Sequence, residues 1–198
     1  GGYPPAPTNA ACDPPTRGSM ARDPCAAPSA PRFAMSWVTI VWSMIASACL
    51  TLAAMHLRVW SGRRTAWAHL LFSLSAAGVA AYAACELKMM LAQTPGEFGL
   101  ALRWVHVPVW VTIVSLVAFA RLYLRAGRLW LALSVCGLRT LSLLLNFLGP
   151  GPNVNYREIS ALRHLPFLGE TVSIGEGVHS PWALVGQLSL LLLVLFVA

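Results

Sequence analysis

The chain has 198 residues, 57% of them hydrophobic and only 11% charged, against about 25% charged in an ordinary soluble domain. A soluble globule of this size has no way to keep that much apolar surface from water, which excludes a typical cytosolic enzyme, a disordered regulator and a disulfide scaffold. Fourteen Lys and Arg face seven Asp and Glu, a formal charge of +7. In so apolar a chain that excess points to topology, with basic residues gathered on the cytoplasmic side of a membrane, and not to nucleic acid.

Residues 1–34 hold eight of the fourteen prolines, in runs such as Tyr3-Pro4-Pro5 and Asp13-Pro14-Pro15, and no apolar run. Such a stretch buries too little surface to offset the entropy of ordering it, so it reads as a disordered tail. It lacks the apolar centre and small-residue cleavage site of a signal peptide. Met35, followed at once by Ser36-Trp37-Val38-Thr39-Ile40, is an alternative start, which would make 1–34 non-native upstream sequence.

A helix needs about 20 mostly apolar residues to cross about 30 Å of hydrocarbon. Five windows qualify or nearly so: 36–60, 66–91, 105–124, 129–148 and 182–198. The last has seventeen residues and is still apolar at Ala198, so the chain reads as cut short. The expected fold is all-α, a polytopic transmembrane bundle of about five helices with a long segment, 149–181, between the fourth and fifth. The first connection carries Arg58, Arg63 and Arg64 and the third carries Arg121, Arg125 and Arg128, with no acid in either, while the other two are balanced. The positive-inside rule puts the arginine connections in the cytoplasm and the N-terminus and 149–181 outside. Trp37, Trp60, Trp67, Trp104, Trp130 and Trp182 fall near window ends, where an amphipathic ring suits the headgroup layer.

Small residues let helix backbones approach closely inside a membrane. Ala76, Ala80 and Ala84, widened by Gly78 and Ala81, predict such a face on the second helix, and Ser43, Ser47 and Thr51 a similar row on the first. Arg139 is the most expensive residue, ten residues into its window and so about 15 Å deep. A charge there costs about 2.5–3.5 kcal/mol on insertion scales and should face protein or water. Ser142 and Asn146 share its face. The acid within an apolar window is Glu86, one turn after Tyr82, and Arg139 is expected to lean toward Asn146 and the Tyr82–Glu86 face. This is either a structural ion pair, a snorkelling arginine, or a signal-relaying cluster. His106, His164 and Glu176 are candidates to meet at the outer mouth.

His56 and His69 belong near the cytoplasmic end. No His-x3-His or Cys-x-x-Cys spacing occurs, so no metal, haem or other cofactor is expected. Cys49, Cys85 and Cys136 read as small buried hydrophobes. No catalytic residue is expected, because no phosphate loop, triad or nucleophile elbow is present. The segment 149–181 is too long for a simple connector. Its Asn155-Tyr156-Arg157-Glu158-Ile159 run, followed by Leu162, His164, Leu165 and Phe167, and the strand-like Thr171-Val172-Ser173-Ile174 suggest a lid packed back on the helix ends.

Tyr82-Ala83-Ala84-Cys85-Glu86-Leu87, followed by Arg103-Trp104, Pro108-Val109-Trp110, Phe119 and a basic connection, resembles the N-terminal seven-transmembrane sensor region of bacterial sensor histidine kinases. The family more often has two prolines where this chain has Pro108 alone. The resemblance covers roughly residues 35–198 and implies five of seven helices, with the kinase absent. It implies a sensory input region in the bacterial inner membrane, a homodimer formed through the full-length protein, and a cytoplasmic response regulator as partner. The candidate ligand or relay residues are then Tyr82, Glu86, Arg103, His106, Arg139, Asn146, Tyr156, Arg157 and His164. A transporter or a small integral subunit of a membrane complex is the alternative.

Overall fold

Helix α1 (Trp37–Gly62) starts at Ser36, whose hydroxyl accepts the Thr39 amide at 3.2 Å. The computed structural model describes residues 36–125, 127–149, 151–167 and 170–197, so the expectations for 1–34 lie outside the described residues. Along α1 beyond its first turn the less exposed positions, continuing from Val38, are Trp42, Ala46, Cys49, Ala53, His56 and Trp60. Steps of three and four residues keep them on one side of a helix. The expected row of Ser43, Ser47 and Thr51 lies instead on the exposed side. Ser47 and Thr51 donate to Met44 O (3.0 Å) and Ser47 O (2.9 Å) of their own helix, which satisfies both hydroxyls without a neighbour.

Helix α2 (Trp67–Met90) turns Ser73, Ala76, Gly78, Ala80 and Ala83 inward. Ala81 and Ala84, expected on this face, are exposed, and Ala83 takes the place of Ala84. Ser73 Oγ donates to Ala53 O at 2.8 Å, a buried bond joining α2 to α1. On the far side, Gly78 lets α2 approach the next long helix. A Cβ there would stand 3.0 Å from Pro108 O and 3.2 Å from Thr112 N, and closer still to Thr112 Oγ1. Gly78→Val is therefore expected to cost about 1–3 kcal/mol by overpacking, read as easier unfolding in detergent titrations.

The third window is longer and less regular than its hydropathy suggests. Thr94 accepts the Glu97 amide (3.2 Å), Glu97 reaches back to the Gln93 amide (3.1 Å), and Pro95 follows the cap, so α3 (Pro95–Trp104) begins ten residues before the expected start. Helix α4 (His106–Phe119) follows after a break at Val105. The break has a cause in Pro108. Its ring has no N–H to give Trp104 and clashes with that carbonyl four residues back. The span ends in a π-helical turn, Ala120–Leu124, closed by Arg125 at a φ of 51°.

Helix α5 (Leu129–Leu148) leads into the long segment 149–181. That segment is an antiparallel hairpin, β1 (Tyr156–Phe167) and β2 (Glu170–His179), with two long strands where one short strand is expected. The expected strand 171–174 lies within β2. The packing back on helix ends is as expected, with Ile159 and Leu162 of β1 set against Met89, Ala92, Phe98 and Val105. Helix α6 (Ala183–Val197) closes the described chain.

Four helical spans, including Pro95–Leu124 taken as one, are long and apolar enough to cross a membrane, and α6 is a shorter apolar helix. The chain is built as a multi-pass membrane protein, mostly helical. α1 packs on α2, α2 on α4, α4 on α5 and α5 on α6, while the hairpin covers α3 and the end of α2. Trp37, Trp67, Trp104, Trp130 and Trp182 are all more than half exposed, the position of rings that face lipid or headgroups. Two apolar clusters hold the bundle. One lies under the hairpin, and the other joins Ile113 and Val117 of α4 to Ala132 and Val135 of α5 and Phe196 of α6. Between them the helices carry a polar layer.

Candidate functional site

The polar layer begins at the break between α3 and α4. A helix that ends inside a membrane leaves carbonyls without partners, and no water is there to satisfy them. Here three of the last four find partners. Ala101 O accepts from the Val105 amide (3.0 Å), Leu102 O contacts His106 Nδ1 (2.9 Å), and Arg103 O accepts from Asn146 Nδ2 (2.8 Å). A carbonyl only accepts, so His106 donates through Nδ1. Asn146 uses its other end as well, with Oδ1 accepting the Val154 amide at 3.1 Å. Arg103 returns the favour to α5 by donating to Phe147 O at 2.8 Å, with its guanidinium 5.2 Å from the Phe147 ring centre. Arg103 and Asn146 thus staple the ends of α3 and α5 to one another.

Deeper along α5, Arg139 is only 7% exposed and Ser142 1%. Among the described residues Arg139 has no acid within 4.0 Å and no hydrogen-bond partner, and the Ser142 hydroxyl is also without one. Both side chains point at Gly186, one turn into α6, where a Cβ would lie 3.3 Å from Ser142 Oγ and 3.4 Å from Arg139 Nη1. They line a cavity of about 490 Å³. Its walls come from α2 (Val79, Tyr82, Glu86) and α6 (Gly186, Gln187, Leu190), and its floor from α4 and α5. A second cavity of about 540 Å³ lies toward the hairpin. The two share Glu86, Met89, Leu102, Asn155, Ala183 and Gln187 as lining, so they adjoin. At that boundary Tyr82 Oη donates to Glu86 Oε1 at 2.5 Å.

Four of the sequence-derived candidates therefore meet in one cavity: Tyr82, Glu86, His106 and Arg139. Arg103 and Asn146 stand beside it as the staple. Tyr156 lines the second cavity, its ring tilted against His179 with ring centres 4.7 Å apart. Arg157 is exposed on the hairpin and lines neither. His164 is also elsewhere. Its Nδ1 lies 3.2 Å from Ser173 Oγ, which donates to Ala92 O at 2.7 Å. Glu176 pairs with Arg163 at 3.7 Å on the surface. The expected meeting of His106, His164 and Glu176 is not formed, because the break buries His106 while the hairpin carries the other two outward. The ion pair of Arg139 with Glu86, one of the readings open from the sequence, is not formed, and Glu86 instead accepts from Tyr82.

Ser173 pins β2 to the end of α2. Ser173→Ala is expected to leave Ala92 O without its partner, at a cost of about 1–3 kcal/mol. Faster amide exchange across the hairpin, with the helices unchanged, would report it.

Two lining residues lacked a sequence argument. Gln187 is the one long polar side chain in α6, a visible signal within so apolar a run. Gly186 had no signal, because its value lies in what a Cβ would meet. At the far end of the bundle His56 and His69 face each other, Nδ1 to Nδ1 at 2.8 Å, so one donates and the other accepts. No cluster of three or more metal-ligating side chains occurs among the described residues.

The chain matches no protein-family model, no curated protein and no solved structure.

Proposed function

We propose that the chain is the membrane-embedded sensory input region of a bacterial signalling protein in the cytoplasmic membrane, relaying an external or intramembrane signal to a cytoplasmic output domain. The observation that carries this is Arg139, a buried guanidinium at mid-span, without a counter-ion among the described residues, in a cavity beneath a hairpin. A cation kept there at a cost of about 2.5–3.5 kcal/mol is a functional candidate by default. The six arginines at 58, 63, 64, 121, 125 and 128 lie on helix ends and connections at the end away from the hairpin. Under the positive-inside rule that end is cytoplasmic, and the hairpin is outside.

A ligand shifts a two-state protein only by binding one state better than the other. The route out of the cavity is α5 against α6. Arg139 and Ser142 face Gly186, Ser189 Oγ donates to Val135 O at 3.2 Å, and Phe196 packs against Gly127 at the cytoplasmic end. A change in the α5–α6 contact at Gly186 would reach the output side through those two points. The local likeness to the seven-helix sensor regions of histidine kinases adds support. It implies a homodimeric full-length protein acting on a response regulator.

The coding sequence beyond Ala198 tests this reading. Two further helices followed by a phosphoacceptor-histidine domain and an ATP-binding domain are expected, and a stop codon directly after Ala198 would contradict it. One observation favours a transporter instead. The α3–α4 break resembles the discontinuous helices that form transport sites near the bilayer midplane. Solute uptake by proteoliposomes holding the chain alone would favour that second reading.

A further inference from the structure

We infer that the Arg139 cavity binds a monoanionic, single-chain amphiphile by its oxyanion head, a ligand class that rests on the sensory reading above. Among the described residues two donors converge without partners, the Arg139 guanidinium and the Ser142 hydroxyl, each belonging to a residue more than nine-tenths buried and both turned to Gly186. A guanidinium presents a planar fork that matches a carboxylate or phosphate with two parallel hydrogen bonds. The protein supplies no such group within 4.0 Å among the described residues. The ligand must therefore bring the negative charge.

The rest of the wall decides the body of the ligand. Val79, Met89, Leu102, Val109, Ile113 and Leu190 offer only apolar contact. Volumes of about 490 and 540 Å³ in two adjoining chambers fall in the range of small-molecule sites. Together they take a chain that starts at Arg139 and runs toward the hairpin. Glu86 stands at the boundary between the chambers and would repel a second anionic group there. A monoanion is accepted and a dianion with a charged far end is not. The absence of a side chain at Gly186 keeps the space at the two donors open.

The head chemistry is the same whether the amphiphile arrives from water as a medium-chain carboxylate or from the bilayer as a fatty acid. The test uses the full chain in nanodiscs of zwitterionic phosphatidylcholine, titrated with decanoate and with decanol and decanedioate as competitors. Decanoate is expected to bind saturably, decanol not to compete, and decanedioate to bind at least tenfold more weakly. Arg139→Gln should weaken decanoate by about tenfold or more, the scale of one charge-assisted hydrogen bond. Gly186→Leu, which keeps Arg139 and fills the space, should do the same and carries the test if Arg139→Gln fails to fold. Palmitate preloaded in the bilayer separates the sources. Competition with decanoate assigns a membrane-derived ligand, and decanoate binding without such competition assigns an aqueous one. The inference is overturned if neither decanoate nor palmitate binds saturably, if decanol binds as well as decanoate, or if the variants bind like the parent. Failure here leaves the downstream coding sequence free to support the sensory reading, and a stop codon after Ala198 leaves the binding result standing.

Discussion

Asn146→Ala is expected to destabilise the bundle by about 2–5 kcal/mol, the cost of leaving two buried polar groups without partners. Asn146 is 1% exposed and serves both at once, Arg103 O through its amide nitrogen and the Val154 amide through its oxygen. In lipid no water replaces either bond. The loss should be largest where α3 meets α5, so Val154 and the hairpin amides should exchange faster while α1 and α2 stay protected. Asn146→Asp separates the two roles. It keeps the acceptor for Val154 but sets a carboxylate oxygen against Arg103 O in a dry site, so a loss at least as large as for alanine is expected. Unfolding in mixed detergent micelles, with exchange measured residue by residue, reads both.

Arg139→Leu should move stability the other way, upward by about 2.5–3.5 kcal/mol, the insertion cost of a mid-span arginine. The sign follows from the missing partner. Removing one member of a buried ion pair strands the other charge and costs about 3–5 kcal/mol. Removing a buried charge that has no counter-ion relieves a penalty instead. Leucine also suits the neighbouring apolar wall at Val109, Ile113 and Leu190. A variant that is more stable and has lost its ligand is the signature of a residue kept for binding.

The spans, the arginine asymmetry and the tryptophan positions were legible in the sequence because each depends on hydropathy or charge along one dimension. The break inside the third span was legible in part. Pro108 and the Thr94-Pro95-Gly96-Glu97 start signal were both visible, but the apolar window alone does not show that one begins a helix and the other interrupts it. The hairpin hid for a physical reason. Pairing is irregular near Tyr156–Glu158 and Ile159–Ala161, and burial in β1 recurs about every third residue, so the period-two alternation of a half-buried strand never appears. The α1 packing face is not legible, because hydroxyls that satisfy themselves along the helix look the same in sequence as hydroxyls that face a neighbour.

The candidate site divides along the same line. Arg139, Glu86 and Tyr82 stand out by residue type, since charge in an apolar span is rare. Their relation does not. Whether Arg139 meets Glu86 is a matter of ångströms between two helices, and Tyr82 is the group that bonds Glu86. His106 and Asn146 have structural tasks that exist only because α3 ends at Trp104 and exposes its carbonyls. Gly186 acquires meaning only when α6 is laid against Arg139 and Ser142.

A double-mutant cycle between Arg139→Leu and Glu86→Gln, read as unfolding free energy in a bilayer-like medium, tests most directly whether Arg139 is an uncompensated cation. Independent groups predict a coupling within about 0.5 kcal/mol of zero, with the Arg139→Leu gain intact in both backgrounds. A coupling of about 1–3 kcal/mol, with Arg139→Leu destabilising when Glu86 is present, would contradict it and make the pair structural.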